Sequence, residues 1–254
     1  MEYIIYSLNQ AIGVSDLGYI ATILFAALML RAAIGFGDGL LAVPLLTLFI
    51  ELQEAVPLVL LLGSSISIVA LWQERQYLQL GSLGRTSVAA LLGIPLGVMH
   101  LSFGNEDVIK GFLGLFLITM AAWKLLPTSS FQLHGSYWSY LFGGLAGMLG
   151  AAYALRGVVF SIYGGLRGWS PGQFKSTISG FYILSGILIP ITYFSAGLIT
   201  PKLTGLYLLL LPLAIFSTFI GGHLTKKLNA SLFQRVIWIF MLLFGVLMAV
   251  KSVL

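Results

Sequence analysis

Long apolar runs, separated by short polar loops, make up most of the sequence. Most of these runs are close to the ~20 residues that a helix needs to cross about 30 Å of hydrocarbon. Polar residues divide the chain into eight hydrophobic blocks: Leu17–Ile50, Ala55–Trp72, Thr86–Phe103, Val108–Leu126, Tyr137–Leu166, Ser176–Phe194, Gly205–Gly221 and Val236–Val253. The pattern predicts an all-α, polytopic membrane protein.

The first and fifth blocks are too long for single crossings. They contain 34 and 30 residues, and at 1.5 Å per residue each helix would exceed the hydrocarbon thickness by roughly half. Each block also has a polar, glycine-containing interruption, Gly35-Phe36-Gly37-Asp38-Gly39 in the first and Arg156-Gly157 in the fifth. We therefore predict a long helix, a break and a short helix in each block, the short helices being Leu40–Ile50 and Gly157–Leu166.

The positions of lysine and arginine favour one threading of these breaks. If each long block crosses the membrane once, five basic residues lie on one side and six on the other, without bias. If each block enters, turns at the break and leaves by the same side, the division becomes eight against three, as the positive-inside rule expects. The eight are Arg75, Arg85, Lys124, Arg167, Lys175, Lys226, Lys227 and Arg235, and the three are Lys110, Lys202 and Lys251. We therefore predict two re-entrant hairpins.

This threading predicts two inverted repeats, since the two long blocks each begin a set of four and start from opposite faces. An offset of 119 residues aligns Gly35–Pro44 with Ala154–Tyr163. We expect a single transmembrane domain over residues 1–254, with repeat 1 at about 17–126, repeat 2 at about 137–254, and about eight long and two short helices. Both termini are expected outside the cytoplasm. The loops expected inside are Gln73–Arg85, Leu126–Ser136, Arg167–Lys175 and His223–Arg235.

Composition excludes the other classes of protein that such a chain could represent. Hydrophobic residues make up 59% and charged residues 8%, with a mean hydropathy of +1.01, so a soluble fold could not bury the apolar side chains. The basic residues lie mostly in short loops and indicate topology, so we expect no nucleic-acid partner. The chain has no cysteine, no His-Glu-x-x-His and no Gly-x-Ser-x-Gly. We therefore expect neither an enzyme nor a metal site nor a cofactor.

The two breaks are the predicted substrate site. A helix that begins inside the membrane directs free N–H groups and the positive end of its dipole toward whatever precedes it, an arrangement that favours an anion. Glycine also lets a ligand approach the backbone closely. The candidate binding residues in the breaks are Gly35, Gly37, Asp38, Gly39, Arg156 and Gly157. The alternative is that these glycines only allow close helix packing.

Arg31, Asp38 and Arg156 are charged residues at membrane depth, where each costs roughly 2.5–3.5 kcal/mol to insert. The repeat alignment places Asp38 next to Arg156, and we expect them to be partners if the breaks meet. They would form a structural ion pair, or Arg156 would contact an anionic substrate while Asp38 competes for it or carries a proton. Arg31 is a further candidate ligand, or it extends toward an interface.

Ser64, Ser65 and Ser67 are weaker candidates, in the second hydrophobic block. They would line a polar path, and their counterparts in the other half are Ser176, Thr177 and Ser179. Membrane serines also commonly bond to their own helix or to a neighbour. The sequence leaves both interpretations open.

The run Gly35-Phe36-Gly37-Asp38-Gly39-Leu40-Leu41-Ala42-Val43-Pro44 resembles the first repeat of the TauE/SafE family, the sulfite exporter or TSUP transporters, which typically has Gly-x-Gly-Gly-Gly followed by apolar residues and Pro. The run from Tyr163 to Pro171, with Phe174-Lys175 after it, is similar to that family's second repeat. The resemblance implies a permease for sulfur-containing or organic anions such as sulfite, thiosulfate, sulfonates or sulfoacetate. The chain departs from the family pattern at Asp38, Ala154 and Arg156, where glycines are usual, and at Val158, where proline is common.

The sequence therefore favours a secondary transporter that moves a small anion by alternating access at the break interface. An anion channel on the same scaffold and a membrane scaffold without transport are the alternatives. The expected partners are the anion, the lipid bilayer and H⁺ as a coupling ion, and the expected location is a bacterial inner or plasma membrane. The substrate, direction, coupling ion and oligomeric state are left open.

Overall fold

The computed structural model describes residues 14–125 and 133–224, together with six positions between 239 and 250. Within the two described ranges the chain forms nine α-helices and no strand. They are α1 (Val14–Ile34), α2 (Asp38–Leu46), α3 (Leu52–Glu74), α4 (Leu80–Phe103), α5 (Glu106–Leu125), α6 (Tyr137–Tyr153), α7 (Arg156–Leu166), α8 (Pro171–Ser195) and α9 (Pro201–Leu224), with a 3₁₀ turn at Arg75–Tyr77. The all-α prediction is confirmed, and the predicted eighth long helix (236–253) falls mostly outside the described residues.

The first break lies where the sequence predicts it. Gly35 and Gly37 adopt φ angles of 95° and 106°, in the left-handed region that glycine enters without steric cost, and α2 begins at Asp38. The rings of Tyr19 and Phe49, near the two ends of this unit, stack with their centroids 5.3 Å apart. The chain therefore turns back at the break and returns toward the side from which α1 entered, so that α1 and α2 form a hairpin (hairpin 1).

The second break has the same form. The chain leaves α6 at Ala154, a residue with φ 57°, and α7 begins at Arg156. The N–H of Leu133, before α6, donates to the carbonyl of Leu166, at the end of α7, at 2.7 Å. Because the two ends of the unit meet in this way, α6 and α7 also form a hairpin (hairpin 2). The short helix α2 ends earlier than predicted, at Leu46, where a series of tight backbone turns begins.

The two hairpins open toward opposite faces of the helix bundle. The first face is defined by the ion pair between Glu54, in the first turn of α3, and Lys202, in the first turn of α9, at 2.8 Å. The second face is defined by the hydrogen bond from the N–H of Gln79 to the Thr177 hydroxyl, at 3.2 Å. Hairpin 1 leads into α3 at the first face and hairpin 2 leads into α8 at the second face. This is the inverted arrangement that the charge bias predicts.

Four described helices are long and apolar enough to cross a membrane: Asp16–Ile34, Leu80–Phe103, Pro171–Ser195 and Pro201–Gly221. Large apolar side chains such as Leu92, Phe103 and Phe194 are exposed on the outside of the bundle, where lipid would cover them. The helix α4 starts at Leu80, six residues before the predicted block, because its polar first turns pack inward against hairpin 2. The chain is therefore a multi-pass membrane protein.

Candidate functional site

The tips of the two hairpins lie in direct contact. Gly39, at the start of α2, lies so close to Ala154 that an added Cβ would overlap its carbonyl oxygen and come within 2.7 Å of its Cβ. Gly157, at the start of α7, lies against Phe36, whose Cβ would be 2.6 Å from an added Cβ. Each helix start therefore packs against the break of the other hairpin. For these two glycines, the close packing anticipated as an alternative role is observed.

Arg31 and Asp38 form a buried ion pair within hairpin 1. Nη1 of Arg31 donates to Oδ2 of Asp38 at 2.7 Å, and Nη2 of Arg31 donates to the Ser67 hydroxyl of α3. The two charged residues are only 5% and 6% exposed. Gly63 of α3 makes room for the pair, because a Cβ at that position would be 2.6 Å from Oδ2 of Asp38 and would overlap Nη1 of Arg31.

This pair corrects the expectation that Asp38 and Arg156 are partners. No ion pair joins those two residues, both of which the structure describes. Arg31 lies seven residues before Asp38 on the same hairpin, so the turn brings its guanidinium back onto the carboxylate. The alternative that Arg31 extends to an interface is also wrong, because its side chain is buried.

Arg156 lies in the interior between hairpin 2, α3 and α8, and its hydrogen-bond acceptors are neutral. Nη1 donates to the Ser185 hydroxyl at 3.0 Å, and Nη2 donates to the Ser64 hydroxyl at 3.0 Å and to the Leu60 carbonyl at 3.3 Å. The residue is 2% exposed. Its guanidinium is therefore surrounded by dipoles, with no carboxylate bonded to it among the described residues.

The ring of Tyr182, in α8, contacts both arginines. The Cζ atoms of Arg31 and Arg156 lie 4.3 Å and 4.2 Å from its centroid, which is the geometry of a cation–π contact in each case. The ring is almost fully buried. Its hydroxyl has no hydrogen-bond partner among the described residues, and it lies at the start of α7, where a Cβ on Gly157 would overlap it.

We refer to Arg31, Asp38, Arg156 and Tyr182 as the central cluster. It contains two guanidinium groups and one carboxylate, so it carries one excess positive charge. The other acidic residues of the described ranges occupy the first or last turns of helices or directly precede one. Outside those ranges the only acidic side chain in the sequence is Glu2. A buried cation without a counter-ion suits an anionic ligand.

The remaining predicted site residues divide into two groups. Ser64 reaches Arg156, whereas Ser65 bonds to the Tyr207 hydroxyl at 2.8 Å and to the Leu61 carbonyl at 3.0 Å, away from the cluster. Gly35 lies against Phe174 and Lys175, and Gly37 against Leu30. Neither glycine contacts the charged groups directly.

Sequence reasoning overlooked Tyr182 and Ser185 as site residues, whereas Ser67, a candidate for the polar path, accepts a hydrogen bond from Arg31 of the central cluster. Together with Ser176 and Ser179, the first two repeat at three-residue intervals along the hydrophobic block 176–194. That spacing places polar side chains on neighbouring positions of a helix surface, and it was the available signal. All of these residues are buried.

A cavity of about 250 Å³ lies elsewhere, between the ends of α4 and α8 at the first face. Its lining contains no charged side chain and consists of Pro95, Val98, Met99, Ser102, Phe103, Thr192, Ser195 and Ala196. Within the described part of the chain, no group of three or more His, Asp or Glu side chains could hold a metal ion. The central cluster is therefore the better candidate for an anion site.

Comparison with protein families identifies a relationship that covers both hairpins. The family model described as Sulfite exporter TauE/SafE matches residues 19–248, about nine-tenths of the chain. No curated protein and no solved structure matched the chain. All members of the central cluster fall inside the matched range.

Proposed function

The chain belongs to the sulfite exporter TauE/SafE family, and from that premise we propose that it carries a small sulfur-containing anion across the membrane, bound at the central cluster. Family membership makes it a membrane transporter. The choice of substrate within the sulfite-type anions, the alternating-access mechanism and the location in a bacterial inner or plasma membrane are our proposals.

The excess positive charge of the central cluster is the observation that carries this proposal. Arg31 is neutralised by Asp38 at 2.7 Å, while the acceptors that Arg156 has among the described residues are hydroxyl and carbonyl groups. An unpaired charge in the middle of a membrane protein is costly, at roughly 2.5–3.5 kcal/mol, and a bound anion would offset that cost. A scaffold without transport has no use for such a charge, so the charge favours a ligand site over packing alone.

One unpaired guanidinium is matched best by a singly charged head group. A sulfonate or hydrogen sulfite brings one negative charge and three oxygens, and a planar guanidinium can bind two of those oxygens at once. A dianion such as thiosulfate would leave one negative charge uncompensated in the interior. We therefore expect singly charged sulfonates and hydrogen sulfite to bind more tightly than thiosulfate.

The arrangement of the hairpins supports alternating access over a channel. The hairpins open toward opposite faces, and their tips meet at Gly39 and Gly157. The four members of the central cluster are all buried, so in this conformation the cluster is closed to both faces. Movement of one hairpin relative to the other would expose the cluster to one face at a time, as in other transporters that are built from inverted repeats.

Anion binding by Arg156 variants tests the proposal. Purified wild-type protein is titrated with sulfite, a short alkyl sulfonate, thiosulfate and chloride, and binding is followed by calorimetry and by thermal shift. We expect Arg156→Gln to weaken binding of the preferred anion at least about 10-fold, because a charge-assisted hydrogen bond contributes about 1.5–3 kcal/mol. Arg156→Lys should keep part of the affinity, since it retains the charge but loses the planar fork.

Arg167 provides the matched control. Its Nη1 bonds to the carbonyls of Leu133 and Gly135 at the outer end of hairpin 2, so Arg167→Gln removes an arginine without touching the central cluster. Its anion affinity should equal that of the wild type. Equal affinity in Arg156→Gln as well would show that Arg156 does not bind the anion. A wild type that binds none of the sulfur anions would show that the substrate class is wrong.

A further inference from the structure

We infer that the anion binds at only one of the two helix N-termini, that of α7, and that the Tyr182 hydroxyl donates a hydrogen bond to it. This inference rests on the proposed function and assigns a specific donor within its site. Inverted repeats would allow two equivalent anion sites, one at each helix start. The side chains at those starts make them different.

The start of α2 already has its own negative charge. Asp38 is the first residue of that helix, where the positive end of the helix dipole stabilises a carboxylate. The carboxylate is also neutralised by Arg31 at 2.7 Å. A second anion at this end would be repelled by Asp38 and would gain no free cation, so α2 is unsuited to bind the substrate.

The start of α7 has the opposite charge. Arg156 is its first residue, no acidic residue lies in its first turn, and the preceding Leu155 has no side-chain cap. A cation at the positive end of a helix dipole is unfavourable unless an anion lies beside it. The backbone N–H groups of Arg156 and Gly157 also have no acceptor among the described residues. This helix start therefore combines a guanidinium with free donors.

Tyr182 supplies independent evidence for a ligand at the same place. Its hydroxyl is buried and has no hydrogen-bond partner in the part of the chain that the structure describes, and it lies directly against Gly157. A buried hydroxyl without a hydrogen bond is costly, and native proteins rarely leave one unsatisfied. An oxygen of an anion bound at the start of α7 would accept this hydrogen bond.

The cation–π contacts hold the hydroxyl in position. The ring contacts the guanidiniums of Arg31 and Arg156 at 4.3 Å and 4.2 Å, and these contacts hold the phenol oxygen against Gly157 at the start of α7. Phenylalanine at this position keeps the ring and both contacts and removes only the donor. The hydroxyl can therefore be tested separately from the packing of the ring.

The test compares Tyr182→Phe with wild type in two measurements, affinity for the anion that wild type prefers and thermal stability without ligand. We expect the affinity to fall at least about 10-fold, because the lost hydrogen bond is to a charged group. We expect the melting temperature of the ligand-free protein to stay the same or to rise, because the variant no longer buries an unpaired hydroxyl. A purely structural tyrosine would not give these opposite changes.

Tyr163→Phe is the matched control, because Tyr163 is equally buried but its hydroxyl is 2.7 Å from the Ser139 hydroxyl, far along hairpin 2 from the break. It should lose some stability and keep its anion affinity. Unchanged affinity in Tyr182→Phe, with binding intact in wild type, would overturn the inference and leave the proposed function standing. Absence of binding in wild type would instead refute the proposed function.

Discussion

Asp38→Asn is the substitution that separates a structural ion pair from a functional carboxylate. Asparagine has nearly the same shape as aspartate but carries no charge. The carboxylate accepts from Nη1 of Arg31 at 2.7 Å, and both residues are buried. Removing one partner of a buried pair leaves the other charge uncompensated, which typically costs about 3–5 kcal/mol. We expect a loss of stability of that order.

Part of this loss comes from the repulsion between the two arginines, which the Asp38 carboxylate offsets in wild type. Their Cζ atoms lie 4.3 Å and 4.2 Å from the centroid of the Tyr182 ring, so they are at most about 8.5 Å apart. Two unpaired charges at that separation repel by about 2 kcal/mol at an effective dielectric constant of about 20. The remainder is the lost hydrogen bond and ionic attraction within the pair. The neutral variant therefore raises the excess charge of the cluster from one to two.

A double-mutant cycle measures the coupling. Wild type, Asp38→Asn, Arg31→Gln and the double variant are unfolded by denaturant in mixed micelles, and the free energies of unfolding are compared. We expect the double variant to be more stable than Asp38→Asn, because no unpaired Arg31 remains. If the losses in free energy of unfolding of the two single variants add up to the loss in the double variant, the two residues are not coupled. That result would refute a specific ion pair between Arg31 and Asp38.

Uptake by the same proteins in liposomes tests the alternative that Asp38 carries a proton. If the pair is structural, the double variant keeps the anion affinity and the pH-gradient dependence of wild type, since Arg156 and the start of α7 are unchanged. If Asp38 carries the proton, Asp38→Asn folds normally and loses that dependence. This second result would contradict a purely structural role for Asp38 and would support the hypothesis that Asp38 carries the coupled proton.

Two further predictions concern the fold that holds the cluster. Gly39→Ala should destabilise the protein by at least about 1–3 kcal/mol, because the added Cβ overlaps the Ala154 carbonyl. Gly165→Ala has open space at its Cβ position and should be neutral or stabilising by up to about 1 kcal/mol. Denaturant unfolding of both variants measures these changes in the free energy of unfolding. An impermeant thiol reagent added outside intact cells should label Ala196→Cys, at the first face, but not Gln76→Cys, at the second face; the reverse pattern would contradict the predicted orientation.

The sequence was sufficient to predict the breaks and the hairpins. Block length showed that the runs 17–50 and 137–166 could not be single crossings, and the loop charges favoured re-entry over crossing. Block length is a local property of the sequence, and the charge bias is a sum over loops, so both can be read without knowledge of the fold. The division of the chain into repeats at about 126 and 137 and the placement of both termini outside the cytoplasm stay predictions.

The partner of Asp38 could not be predicted in the same way. The repeat alignment placed Asp38 beside Arg156 because it compares positions between halves, and it gives no information on which way a side chain turns. The pairing with Arg31 depends on the angle at which α1 and α2 meet and on the space left by Gly63. Tyr182 was overlooked for a related reason, since a tyrosine in an apolar block is usually a packing residue.

Asp38 and Arg156, the two charged residues that depart from the family pattern, have opposite charges but do not form an ion pair with each other. Asp38 and Arg156 stand at positions where the repeats of the TauE/SafE family usually have glycine. Asp38 adds a negative charge there, and Arg156 adds a positive charge. Arg31 alone would bring one buried cation, and Arg156 without Asp38 would bring a second, with both guanidiniums in contact with the ring of Tyr182. Asp38 neutralises Arg31 and thereby limits the repulsion that Arg156 experiences. The excess charge is thus located at the start of α7, so that the two inverted hairpins, though alike in backbone, contribute unequally to the site.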